Sequence, residues 1–208
     1  MVLKLKQLEV EQRLKSLGLV VFRPTEFKDI FGVSLNTARA YVKKNVIRGL
    51  FIKLRNNFYQ LSDSSPSLYL IANKLYQPSY ISLEKALSHY HIIPETVYTV
   101  TSVSTKSTRE FINSRGTFSF QQIKKDAFTG YAPMQLEGTV VLIAEPAKAL
   151  ADYLYFVDLK KISLNDRLDI SSINKSKLMK YVKLFNRTGI TSLIEKIYAE
   201  SSKPRTIR

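Results

Sequence analysis

The run "SLNTARAYVKK" at residues 34–44 gathers side chains suited to one kind of chemistry. An Asn amide pairs with adenine through two hydrogen bonds, and an Arg guanidinium does the same with guanine. Asn36, Thr37 and Arg39 stand at the start of a helical pattern that Ser34 is placed to cap. That is the end which a groove-reading helix turns toward base edges. Lys43 and Lys44 follow as point charges for phosphates. Tyr41 fits either an inward or an outward position, and the whole run is also compatible with an ordinary solvated helix face.

A second group, Lys53, Arg55, Asn56 and Asn57, falls at a hairpin tip, in reach of phosphate or a minor groove; a bare turn is the alternative for the two Asn residues. A third is a stripe of Lys177, Lys180, Lys183 and Arg187 at helical spacing, beside an apolar stripe of Leu178, Tyr181, Val182 and Phe185. Aligned like charges repel on an isolated helix. The stripe is therefore either a second surface for DNA or a partner, or a solvated basic coat.

Catalytic chemistry has little to work with. The absence of Cys excludes disulfides, a thiol nucleophile and zinc-ribbon sites. No Gly-rich phosphate loop, paired-His metal motif or nucleophile elbow is present. His89 and His91 are two apart and do not share a helix face. Glu145 and Lys148 in "EPAK" have the residue types of a nuclease pair, but Pro146 marks a helix start and no partner Asp is evident. Glu84, Glu110 and Asp152 read as surface charges. No catalytic residue, metal or cofactor is expected.

The candidates depend on the elements that position them. The spacing predicts a helix over 3–17, with Leu3, Val10, Leu14 and Leu17 at three- and four-residue steps after the first heptad and Gly18 as its stop. An extended segment (19–22), a short helix (25–31, capped by Thr25), a turn (32–34) and a helix over 35–48 follow. On that last helix Leu35, Ala38, Val42 and Val46 form the apolar face. Two strands, 50–54 and 58–61, are joined by "RNN", where Asn tolerates left-handed backbone. Helix, short strand, helix, turn, helix, hairpin is the order of a winged helix-turn-helix.

"SDSSP" (62–66) reads as a linker between domains at 1–61 and 67–208. The second region predicts helices at 68–76, 82–90 (capped by Ser82), 145–157, 175–189 and 190–201. Its strands are predicted at 96–104, 116–123 and 138–144. The expected class is α+β: an N-terminal winged helix-turn-helix domain plus a larger mixed α/β C-terminal domain ending in helices.

The net charge of +15 has an uneven distribution. Residues 1–61 hold 12 Lys and Arg against 4 Asp and Glu; residues 62–159 hold 8 against 9; residues 160–208 hold 12 against 4. Two basic ends around a neutral centre suit a polyanion. The charged start lacks the form of a signal peptide, and the apolar runs "LGLVVF" and "VVLIA" fall well short of the ~20 residues that span a bilayer. A soluble, cytoplasmic protein with no membrane partner is expected.

The stretch "PSYISLEKALSHYHIIPETVYTVTSVSTKSTREF" (78–111), followed by "GTFSFQQIKKDAFTGY" (116–131), closely resembles the AbiEi family. These are antitoxins and transcriptional regulators of AbiE abortive-infection toxin–antitoxin systems, a phage defence. The matching blocks are Tyr80–Glu84, Ile93–Glu95, Thr99–Ser102, Thr108–Phe111 and Gly116–Phe118. A later family block, Ser-Pro-Glu-Lys-Ala-Leu, stands here as "EPAKAL" (145–150), keeping Pro146, Lys148 and Leu150.

The resemblance implies a winged-helix domain that represses the protein's own operon by binding inverted repeats in its promoter, with two protomers on the double-stranded DNA. It also implies a C-terminal domain that counters a nucleotidyltransferase-like toxin, in a type IV arrangement where the two need not touch. Two rivals remain at the level of sequence: an antitoxin acting by direct contact with the toxin, and a DNA-acting enzyme such as a nuclease.

Overall fold

The computed structural model describes residues 5–201, so Leu3 of the first expected helix lies outside the described residues. The fold is α+β: eight α-helices, one three-stranded sheet and one six-stranded mixed sheet among the described residues.

The N-terminal unit runs α1 (Gln7–Ser16), β1 (Val21–Phe22), α2 (Pro24–Phe31), α3 (Leu35–Ile47), β2 (Phe51–Arg55) and β3 (Phe58–Leu61). Helix α1 turns Val10 and Leu14 inward. Helix α2 begins one residue earlier than its predicted cap. Pro24 is its first residue, where a fixed φ and a missing N–H do no harm, and the backbone N–H of Arg23 donates to Glu26 Oε2 at 2.7 Å. Gly32 ends α2 at φ 62°, a left-handed conformation that a Cβ would strain.

Strands β1, β3 and β2 form an antiparallel sheet in that order. Val10, Leu14, Phe22, Phe27, Ala38, Val42, Leu50, Phe51 and Leu61 close a small core between this sheet and the helices. Phe22 meets Phe51 edge-on at 5.0 Å.

The rest of the chain contributes α4 (Leu68–Leu75), β4 (Ser79–Ile81), α5 (Leu83–His89), β5 (Val100–Ser104), β6 (Arg109–Asn113), β7 (Gly116–Gln122), β8 (Tyr131–Leu136), β9 (Thr139–Ala144), α6 (Pro146–Asp158), α7 (Lys175–Lys183) and α8 (Thr188–Ser201). The sheet order is β6-β7-β5-β4-β9-β8. β5–β7 and β4–β9 are parallel pairs and the others antiparallel. Helix α6 is the spine of the larger core: Ala149, Leu150, Ala151, Leu154 and Phe156 are all buried.

Three strands go beyond the predicted set. β4 is three residues long, too short for a pattern. β6 is an edge strand with a largely exposed face. β8 carries Pro133, which argues against a strand in sequence but is tolerated where only β9 flanks it.

The two helices predicted at 175–189 and 190–201 are present with a shifted boundary: α7 ends at Lys183 and α8 begins at Thr188, because the chain turns at Asn186 with φ 52°. The two units also touch. Val21 and Leu54 of the first belong to the larger core, and the hydroxyls of Ser62 and Ser64 in the connecting segment donate back to Leu50 O and Leu61 O.

Candidate nucleic-acid interface

Helix α3 starts because Ser34 caps it. Its Oγ accepts from the Thr37 backbone N–H at 3.1 Å and sits 2.8 Å from Thr37 Oγ1. Ala38 and Val42 are fully buried, and nearly buried Asn45 donates its amide to Tyr41 O at 2.9 Å. Tyr41 faces inward, stacked on Phe27 at 5.2 Å. The opposite face carries Asn36, Arg39, Lys43 and Lys44, all exposed, with Ser34 and Thr37 at its N-terminal end.

The ion pairs show what distinguishes this face. At α1 and α2 and their caps, Lys6, Lys15, Arg23 and Lys28 have carboxylate partners, Glu9, Asp63, Glu26 and Asp29, while no ion pair engages Arg13 among the described residues. Helix α3 contains no acidic residue. Among the described residues no ion pair engages Arg39, Lys43, Lys44 or Lys53. A convex helix surface with unneutralised cations, and an Asn and a Thr at its positive end, attracts and orients anions. Arg48, which closes α3, is exposed on the same row as Lys44. The sequence reading passed over it, although the four-residue step from Lys44 is visible there.

The hairpin divides the second group of candidates. Lys53, Asn56 and Asn57 are exposed, and Asn57 adopts φ 63° in the turn. Arg55 corrects the expectation of an open cationic tip. Its Nε donates to Leu75 O at 2.8 Å, and its guanidinium lies 4.0 Å from the Phe58 ring and 5.2 Å from Phe111. Desolvation lowers its pKa from the ordinary Arg value. With Asn113 Nδ2 donating to Leu54 O at 3.1 Å, Arg55 fastens the hairpin to β6 and α4.

The C-terminal stripe is not the continuous row that was expected. Lys177 pairs with Glu145 at 2.5 Å, and the Tyr181 hydroxyl donates to the same carboxylate at 2.9 Å. Arg187 lies beyond the end of α7 and pairs with Asp158. Lys180 and Lys183 stay exposed, with no ion pair among the described residues. The Lys177 ammonium holds Glu145 below the usual carboxylate pKa, with help from Tyr181.

Asp152 overturns its reading as a surface charge. It and Lys148 are fully buried, 2.5 Å apart. The second oxygen of Asp152 accepts from Ser82 Oγ at 2.7 Å and from the Tyr80 hydroxyl at 3.1 Å. Burial and this carboxylate push the Tyr80 pKa far up. The Lys148 ammonium lies 4.8 Å from the Phe185 ring. Ser82 is the N-cap residue of α5 as predicted, but its side chain makes no capping hydrogen bond and ties β4 to α6 through Asp152.

Glu84 is partly buried, and desolvation raises its pKa; Glu110 is exposed. Among the described residues no group of three or more His, Asp or Glu side chains is arranged to hold a metal ion. None of the described helices is long and apolar enough to cross a membrane. A scan against models of protein families found no match, and a search of curated proteins found no relative.

Proposed function

We propose that this chain is a cytoplasmic, sequence-specific DNA-binding protein that represses its own operon and acts as the antitoxin of an AbiE-type toxin–antitoxin pair. In this reading the N-terminal unit is a winged helix-turn-helix domain, with α3 in the major groove and the β2–β3 hairpin as its wing. The observation that carries it is the α3 face, where Arg39, Lys43 and Lys44 are exposed on a helix with no acidic residue and no ion pair engages them among the described residues. Phosphate contacts from the Lys residues supply affinity through counterion release. Asn36, Thr37 and Arg39 supply base readout. An inverted repeat requires two protomers per site.

The antitoxin half rests on the sequence blocks between Tyr80 and Phe118. The nuclease alternative is disfavoured because Lys148 and Asp152 are sealed from solvent, where neither can touch a substrate.

The test is fluorescence anisotropy on the region upstream of the gene. Arg39→Ala weakens specific binding by about ten- to a hundredfold and leaves the melting temperature unchanged. With six to ten phosphates contacted, wild-type affinity falls roughly a thousandfold or more between about 50 and 200 mM salt. Undiminished binding by a folded Arg39→Ala variant rejects α3 as the reading helix. Co-expression with a neighbouring nucleotidyltransferase gene tests the antitoxin half, and co-purification of the two products would favour direct contact as its mechanism.

A further inference from the structure

We propose that the cavity between strands β5, β6 and β7 and the ends of α5 and α6 binds a basic α-amino acid, with lysine as its simplest form. The proposal is independent of the DNA reading and stands or falls separately.

Strand register builds the floor of this cavity. Antiparallel pairing sets Glu110 of β6 opposite Ser119 of β7, and parallel pairing sets Ser119 opposite Thr101 of β5. Residues opposite one another share a face, so a polar row crosses three strands on one side of the sheet. Helix α5 starts on this side: Thr101 Oγ1 accepts from the Lys85 N–H at 3.0 Å and donates to Ser82 O at 2.7 Å. The start of α5 and the chain around the end of α6 leave a space of about 200 Å³ over the row, with Leu83, Phe156 and Ile162 as apolar walls.

Three charged side chains line this space: Glu84, Glu110 and Lys161. No ion pair engages any of them among the described residues, so opposite charges face one small cavity without closing on each other. Glu84 is the partly buried one; burial pushes its carboxyl up, and no neighbouring cation opposes the shift. Glu110 and Lys161 are exposed at the mouth, and the Lys161 ammonium lies 5.8 Å from the Phe156 ring that forms one wall. The Ser119 hydroxyl accepts from Gln121 Nε2 at a long 3.4 Å, and its own proton meets no protein acceptor among the described residues.

Two negative charges and one positive charge call for a ligand with the reverse set. An α-ammonium on Glu84, an α-carboxylate accepting from Lys161 and Ser119, and a side-chain cation reaching Glu110 at the mouth answer all three through charge-assisted hydrogen bonds. The methylene chain between them lies against the apolar walls. At about 30 Å³ per water-sized group the space takes about seven such groups, the body of a lysine with its side-chain cation at the opening. A metal ion suits the site poorly, because no third acidic or His ligand joins the two carboxylates and an ammonium faces them.

Amide-detected NMR titration of the full chain tests the site, with lysine, norleucine (no side-chain cation) and cadaverine (no carboxylate) as probes. Lysine is expected to bind one per protomer with a Kd of about 1 mM or below, shifting the amides of Glu84, Thr101, Ser119 and Lys161. Norleucine and cadaverine bind about threefold or more weakly, since each forfeits one partly exposed charge pair. Lys161→Gln weakens lysine about three- to fivefold and leaves cadaverine unchanged; Glu110→Gln weakens lysine as much and leaves norleucine unchanged. Both positions are exposed, and thermal melting shows that each variant is folded. No shifts at these amides with about 10 mM lysine, equal affinity for lysine and either analogue, or unaltered lysine affinity in either variant overturns the proposal.

Discussion

Whether a cation in this chain is free to meet a partner depends on the carboxylate opposite it, often one far away in sequence. Lys177 and Lys180 are neighbours on one helix, yet Lys177 is held by Glu145, while no ion pair engages Lys180 among the described residues. Removing Lys177 by substitution with Ala moves the Glu145 pKa upward, measurable by NMR-detected titration of the side-chain carboxyl. The sign follows from the depressed native pKa. The pairing adds stability above the ordinary carboxylate range, and that stability is lost as pH falls through the lowered value. Wild type and Lys177→Ala therefore converge in stability on acidification. Both side chains are partly exposed, so the gap at neutral pH stays below about 1 kcal/mol.

At the scale of elements, α3 and the hairpin are held by different means. Helix α3 depends on its own cap, and Ser34→Ala lowers stability by about 1 kcal/mol in chemical denaturation. The hairpin depends on its neighbour. Arg55→Ala removes a hydrogen bond to a main-chain carbonyl and a ring contact, which lowers stability by about 1–2 kcal/mol. On DNA the same variant keeps the wild-type salt dependence. A residue that neutralises a phosphate would reduce the slope by about one, so a reduced slope in Arg55→Ala would return this residue to the DNA surface.

Over the whole molecule, the buried Lys148–Asp152 pair joins β4, α5's entry, α6 and the end of α7 through Tyr80, Ser82 and Phe185. Taking away one member leaves an uncompensated charge in the core. Asp152→Ala is expected to destabilise the protein by about 3–5 kcal/mol, while the double substitution Lys148→Met with Asp152→Leu regains most of that loss. Guanidinium unfolding followed by circular dichroism distinguishes the two. A small effect of Asp152→Ala would mean that the pair contributes little to holding these elements together.

The amino-acid sequence determined what local physics controls. The Ser34 cap, the turn at 32–34, the inward row of Ala38 and Val42, and the strand at 138–144 follow from backbone preference and from apolar spacing, which act over a few residues. The unneutralised face of α3 was legible for the same reason, since that helix carries no acidic residue of its own. Only the tertiary structure decided where Arg55, Lys177, Arg187 and Asp152 point. Their partners, Leu75, Glu145, Asp158, Tyr80 and Ser82, lie on other elements, and an ion pair or a buried hydrogen bond forms across whatever distance in sequence the fold closes. The edge strands β6 and β8 belong with that second group. An edge strand draws its stability from one neighbour and leaves little alternation in its own residues to read.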